Sequence, residues 1–296
     1  MKFYISILLF LINIFSLYAY EKEKCYRIDD IQNFIEHHPK KTLKNELLLV
    51  ELTINRVNID VYIPKLDQKN CYKTLLVLPG WKFSKTRWFN ETRLKEFIKK
   101  YQYISIAPEM NTTVYESQYF RETKFKWHEK PGMQFIEKDL IPYLNQFHFL
   151  KNDFYNMGLG LSTGARGIVL ISSRNPRLFY AIAALSGDYD QTLTPNDNLM
   201  RLTYGEYHQF KERWHTFDNP IYNFKQSGIN THFYLGHGKI DNIVSYEHSL
   251  HLYNFLKSLN SSKTITLNLC EDCKHDFLYW DKELDSVFTF FETSIN

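Results

Sequence analysis

The chain has no apolar stretch that crosses a membrane comfortably: the one long run, at its start, is too short and contains polar Asn13, and no other is long enough. It has no marked excess of either charge: 36 Lys and Arg stand against 33 Asp and Glu, a net charge of +3. The lysines are scattered rather than clustered, which removes the electrostatic case for nucleic acid as a partner. Cysteine occurs at only four positions: Cys25, Cys71, Cys270 and Cys273. The single close Cys-x-x-Cys pair offers too few ligands for a zinc site. It also lies near the C-terminus, where a thioredoxin-like redox role does not place it. No internal repeat or low-complexity tract is present. What remains is a 296-residue chain that is 44% hydrophobic and 17% aromatic, enough for one large core.

The exceptional apolar run is residues 3–17, preceded by Met1-Lys2 and followed by Tyr18-Ala19-Tyr20 and then Glu21-Lys22-Glu23-Lys24. This is the layout of a secretory signal peptide with cleavage after Ala19; an uncleaved anchor is the alternative. Either way the rest of the chain is expected outside the cytosol, secreted or periplasmic, with no stable membrane insertion after cleavage. An even number of cysteines in an exported chain suits disulfides. Of the three possible pairings, Cys25–Cys71 with Cys270–Cys273 is preferred. Residues 20–45 are polar, with one short helix expected over 31–36 and His37 and His38 solvated. The folded domain is expected over 46–296.

Within that domain the hydrophobic pattern changes. Residues 46–55 and 58–63 read as two strands about a turn at 56–57, the second with Ile59, Val61 and Ile63 on one face. Beyond them come unbroken apolar runs, beginning with Leu75-Leu76-Val77-Leu78, of the kind a strand shows when both its faces are buried. Such runs recur at 103–107, 154–159, 178–186, 231–235 and 264–269. Helical patterns separate them, at 91–101, 132–147, 165–173, 221–226, 245–259 and 277–293. Two stretches, 111–131 and 192–219, are aromatic-rich and expected to be irregular. Strand and helix in alternation predict an α/β fold, with a mostly parallel central sheet, an antiparallel start and helices on both faces.

One turn organises the rest. The strand-like run at 154–159 meets Gly160-Leu161-Ser162-Thr163-Gly164, and a helix-like run follows. Strand, tight turn and helix is the setting in which Gly-x-Ser-x-Gly lifts a serine onto an exposed corner. A serine hydroxyl is a weak nucleophile and needs a base, and the base needs an anion to orient it. Both candidates lie at later strand ends. Asp241 sits in Gly238-Lys239-Ile240-Asp241, and His275 lies between the last strand and the last helix. The rival base is His237, and the rival acids are Asp188 and Asp190; Asp276 is expected to be a surface or cap residue. Pro79-Gly80-Trp81 closes the first buried strand, and such a loop supplies one oxyanion-hole N–H while the residue after the nucleophile supplies the other. That nominates the backbone of Trp81 and Thr163.

GLGLSTGARG, LFYAIAALSGDYD, LGHGKIDNIV and KHDFLYW, taken together, resemble the esterase D-like branch of the α/β-hydrolases. That branch includes S-formylglutathione hydrolases, feruloyl and acetylxylan esterases, and mycolyltransferases. The resemblance covers roughly residues 75–291. It implies an α/β-hydrolase fold with Ser162 as nucleophile, Asp241 as acid, His275 as base, the N–H groups of Trp81 and Thr163 as oxyanion hole, and no cofactor or metal. Thr163 departs from the methionine frequent after the nucleophile, Ala165 stands where a second glycine is common, and the strand before Gly80 lacks the frequent histidine. The expected activity is that of a serine carboxylesterase acting on a small-molecule or carbohydrate ester. A prolyl oligopeptidase-like peptidase, which the Asp241 loop also resembles, an acyltransferase, and a non-catalytic binding protein are the alternatives.

Overall fold

A computed structural model describes residues 24–44, 46–67 and 71–295; the expected leader, residues 1–19, lies outside them. After α1 (Ile28–His37) come β1 (Lys41–Lys44), β2 (Leu47–Ile54), β3 (Val57–Pro64) and β4 (Lys73–Leu78). Two short helices, α2 (Arg87–Glu91) and α3 (Leu94–Tyr101), lead to β5 (Tyr103–Pro108). Next, α4 (Gly132–Phe135) runs through a π-helical turn (Ile136–Leu140) into α5 (Ile141–Asn145). Then come β6 (Asn156–Leu161) and α6 (Thr163–Arg174), joined at Ser162, followed by β7 (Ala181–Leu185). Helices α7 (Asn198–Tyr204), α8 (Lys211–Thr216) and α9 (Pro220–Ser227) precede β8 (His232–Gly238). The chain closes with α10 (Glu247–Ser258), β9 (Ile265–Cys270) and α11 (Phe277–Ile295).

The nine strands form one sheet in the order β1-β2-β3-β5-β4-β6-β7-β8-β9. Pairing is antiparallel from β1 to β5 and parallel from there on. The antiparallel start follows from a tight hairpin, in which Asn55 and Arg56 both take positive φ (46° and 66°), as the two-residue turns that match strand twist require. Every residue of β4, β5, β6 and β7 is buried, because helices cover both faces of the sheet. Leu94, Phe97 and Ile98 of α3 pack with Trp280, Leu284, Val287, Phe288 and Phe291 of α11 on one face. Ile168, Val169 and Ile171 of α6, Phe224 of α9 and Leu252 and Leu256 of α10 belong to the other.

The strand order reverses at β4, which has β5 on one side and β6 on the other. Open α/β sheets leave a crevice at such a point, beyond the carboxyl ends of the strands, and here the loops after β4 and β6 carry Gly80 and Ser162. At the opposite end of the same strands, the Cys25–Cys71 disulfide and the Tyr26–Tyr72 bridge pin the start of the described chain. The second disulfide is Cys270–Cys273, so the preferred pairing is the one present.

Several expectations need correction. His38 is buried, its Nδ1 2.6 Å from the Phe34 carbonyl and its Nε2 2.8 Å from the Tyr143 hydroxyl; it directly follows α1 and meets a partner 105 residues away. The 20–45 segment holds a full helix and an edge strand rather than one short helix. The stretch 192–219 contains α7 and α8, with Asp197 accepting a hydrogen bond from the Met200 N–H at the start of α7 (2.9 Å). The helix expected over 132–147 is interrupted by the π-helical turn just before Pro142. That extra residue in the turn accommodates a proline, which lacks the N–H to continue the ladder.

Candidate active site

Ser162 sits between β6 and α6 with φ 53° and ψ −125°, a backbone conformation that side-chain-bearing residues rarely adopt. Two close approaches hold it there. A Cβ on Gly160 would lie 2.2 Å from the Gly164 carbonyl oxygen, and one on Gly164 would lie 2.5 Å from the Leu78 oxygen. Helix α6 therefore starts directly against the end of β4, a packing distance open only to glycine. The Ser162 N–H donates to the Leu185 carbonyl (2.9 Å), which ties the corner to β7.

The structure brings Ser162, His275 and Asp241 together. His275 Nε2 lies 3.0 Å from Ser162 Oγ, and its Nδ1 lies 2.6 Å from Asp241 Oδ2. A carboxylate only accepts, so Nδ1 carries the proton and Nε2 is left to accept from the serine hydroxyl. Asp241 Oδ1 accepts from the N–H groups of Ile243 (2.8 Å) and Val244 (2.9 Å). Burial alone would push the Asp241 carboxyl up. Hydrogen bonds from His237 and His275, with the Val244 N–H, outweigh it and hold the group well below the usual carboxylate range. Trp280 meets the His275 ring edge to face, centroids 5.1 Å apart.

The loop that carries His275 is braced from two sides. Cys270 and Cys273 close it covalently. Gly238 lies beneath it so closely that a Cβ there would fall 2.2 Å from the Cys273 oxygen. Lys239 N–H donates to Cys270 O (2.7 Å) and Ile240 N–H to Cys273 O (3.3 Å). Among the described residues the one cluster with metal-ligand geometry is Cys270, Asp272 and Cys273, and both sulfurs there are committed to the disulfide.

The rivals fall elsewhere. His237 is fully buried and does not contact Ser162; its nitrogens face Ser249, Val244 and Asp241. Asp190 receives Thr192 and Asn219, with His251 Nε2 at 3.5 Å. The Asp188 carboxylate lies 4.0 Å from Arg166 Nη1, and burial pushes it up to about 6 against the pull of that cation. Asp276 caps α11, accepting from the Tyr279 N–H at 3.0 Å. Gly80 abuts the serine, since a Cβ there would meet Ser162 Cβ at 3.2 Å; Trp81 follows it, and Thr163 opens α6, where the first N–H groups have no carbonyl of their own helix to bind.

Sequence reasoning missed Arg166. Its guanidinium is fully buried and donates to the carbonyls of Val114 (3.3 Å), Asp188 (3.2 Å) and Asp218 (2.7 Å) and to Gln191 Oε1 (3.0 Å). One side chain on the first turns of α6 thus anchors both aromatic-rich excursions next to the serine. Its only sequence signal is a charge inside an otherwise buried helix.

A hydrogen-bonded Ser-His-Asp set at the carboxyl ends of a mostly parallel sheet defines a serine hydrolase of the α/β-hydrolase class. The chain belongs to the prolyl oligopeptidase family, whose profile matches residues 102–296. It is similar in fold to an S-formylglutathione hydrolase from Agrobacterium tumefaciens, with a TM-score of 0.67 and 12% identity over 87% of this chain and 99% of that one. The fluorophosphonate-binding serine hydrolase F of Staphylococcus aureus aligns with a TM-score of 0.61 and 15% identity, covering 86% and 96% of the two chains. An acylaminoacyl peptidase aligns at TM-score 0.61 and 12% identity, over 84% of this chain but 42% of its own. No curated protein matches in sequence.

Proposed function

We propose that the protein is an exported serine carboxylesterase in which Ser162, His275 and Asp241 form the catalytic triad. The observation that carries the reading is the unbroken chain of contacts from Ser162 Oγ to Nε2 (3.0 Å) and from Nδ1 to Asp241 (2.6 Å). Ser162 Oγ attacks the acyl carbon and its proton passes to His275 Nε2. The N–H groups of Trp81 and Thr163 hold the oxyanion. Collapse breaks the acyl–oxygen bond, and the leaving alkoxide takes the proton from His275. Water, deprotonated by the same nitrogen, then releases the acid. Asp241 fixes the tautomer and stabilises the imidazolium. Trp81 and the half-exposed Phe125, edge to face at 5.8 Å, offer stacking surfaces for a sugar or aromatic portion of the substrate.

The family match favours a second reading, a peptidase. Support for the ester comes from the aligned lengths: the S-formylglutathione hydrolase is matched almost end to end, the peptidase over less than half. A panel of p-nitrophenyl acetate, butyrate and octanoate beside acylaminoacyl and prolyl p-nitroanilides separates the two. Esters should be turned over with kcat/KM at least about a hundredfold above the anilides; the reverse order would replace the esterase with a peptidase. Export is supported by the expected leader and by two disulfides, which persist in oxidising compartments. N-terminal sequencing of protein recovered outside the cytosol should begin at Tyr20, and an intact Met1 in a cytosolic fraction would sink the export reading.

A further inference from the structure

Asp241 Oδ2 faces a second histidine. His237 Nε2 lies 3.3 Å from that oxygen, and both side chains are wholly inaccessible. The same nitrogen is 3.0 Å from the Val244 carbonyl, and the other, Nδ1, is 2.8 Å from Ser249 Oγ on α10. Both groups facing Nε2 can only accept, so Nε2 carries a proton. It is shared, with the main branch to Val244 and a longer one to Asp241. A hydroxyl rotates to suit its neighbour, so Ser249 donates to Nδ1 and completes the Nε2–H tautomer.

The four donors around Asp241 then come from three places: the loop after β8, strand β8 itself and the loop before α11. Ile243 and Val244 N–H hold Oδ1, while His275 and His237 meet at Oδ2. The first pair is local to the loop and holds Oδ1; the two oxygens turn together about the Cβ–Cγ bond, so the plane of the carboxylate is also set by the group that meets Oδ2 beside His275. That is His237, held by β8 and by Ser249 of α10.

We propose that His237, with its tautomer set by Ser249, is a positioning residue that holds Asp241 Oδ2 on the His275 Nδ1–H. The inference rests on the triad reading above. It makes the buried histidine of the Gly236-His237-Gly238 segment part of the active site's support, without contact with the substrate. A carboxylate that loses this partner can turn about its terminal bond, and the imidazole it orients turns with it; misplacement of about 1 Å in such a constellation costs on the order of a hundredfold in rate.

The first test needs no variant. Long-range 15N–1H correlation in the wild-type protein should show His237 as the neutral Nε2–H tautomer; an Nδ1–H tautomer would overturn the proposal. Two variants follow. In His237→Leu, kcat on a p-nitrophenyl ester should fall about tenfold to a hundredfold with KM within twofold, and the downfield His275 Nδ1–H resonance should move. His237→Gln, whose amide nitrogen reaches near the same point, should recover most of the rate. Loss of rate in both variants with an unmoved His275 resonance would mean a structural role only and would overturn the proposal. Should His237→Leu fail to fold, the tautomer and the glutamine variant still decide. Stoichiometric fluorophosphonate labelling of wild-type Ser162 serves as control: without it the triad reading fails, whereas labelling with the wrong His237 tautomer fails only this inference.

Discussion

Ser162→Ala is expected to lower kcat on the best p-nitrophenyl ester by roughly 10⁴- to 10⁶-fold. In the proposed mechanism the hydroxyl is the group that forms the acyl-enzyme, and its neighbours give no substitute in the same position. Alanine has the same backbone cost as serine at φ 53°, so the corner is retained. The thermal midpoint should therefore stay within about 2 °C of wild type. The N–H groups proposed as the oxyanion hole remain and would leave a residual rate above that of water. In the proposed triad Ser162 and His275 act as a unit, so Ser162→Ala combined with His275→Ala should be scarcely slower than either alone. Steady-state kinetics on the three variants decides the matter. Full activity in Ser162→Ala would show that this serine is not the nucleophile, whatever its geometry.

The second large effect falls on stability. Gly164→Ala places a Cβ 2.5 Å from the Leu78 oxygen and 2.6 Å from the Pro79 oxygen. Both are backbone atoms at the end of β4, and neither can rotate out of the way. Relief requires α6 to move off the sheet, which breaks its packing across the strand-order reversal. We expect a loss of at least about 3 kcal/mol, or roughly 5–10 °C in the thermal midpoint, with activity lost alongside because the loop at Gly80 moves relative to Ser162. Calorimetry or thermal circular dichroism reads this directly. A variant with an unchanged midpoint would mean that α6 and β4 are farther apart than the glycine contact implies.

These residues also show what a sequence can carry. The sheet was legible because strands buried on both faces have no polar alternation: Leu75-Leu76-Val77-Leu78 and Tyr103-Ile104-Ser105-Ile106-Ala107 read as strands wherever they occur. The order Ser162, Asp241, His275 was legible because each follows such a strand, and the structure brings the three side chains into contact. Helices α7 and α8 were not. At seven and six residues they are too short to show a period, and their aromatics serve a local cluster around Tyr204 and Trp214. Strand β1 has every residue exposed, so it carries no hydrophobic pattern and exists only because β2 offers an open edge. The burial of His38 and Arg166 depends on partners far along the chain, which no local pattern records. His237 lies between: its spacing of four from Asp241 was visible, but a shared oxygen was not.

The pinned start of the described chain sets a direction for the whole molecule. Lys24, Cys25 and Tyr26 lie against Tyr155, Cys71 and Tyr72, at the amino ends of β4 and β6. Ser162 and Gly80 lie at the carboxyl ends, about 20 Å away along six residues of strand. Anything joined ahead of residue 24, whether a bilayer anchor, a fusion partner or a solid support, therefore attaches at the base of the sheet. Ser162, His275 and Asp241 meet at the other end, toward whatever polymer or particle the tethered molecule faces.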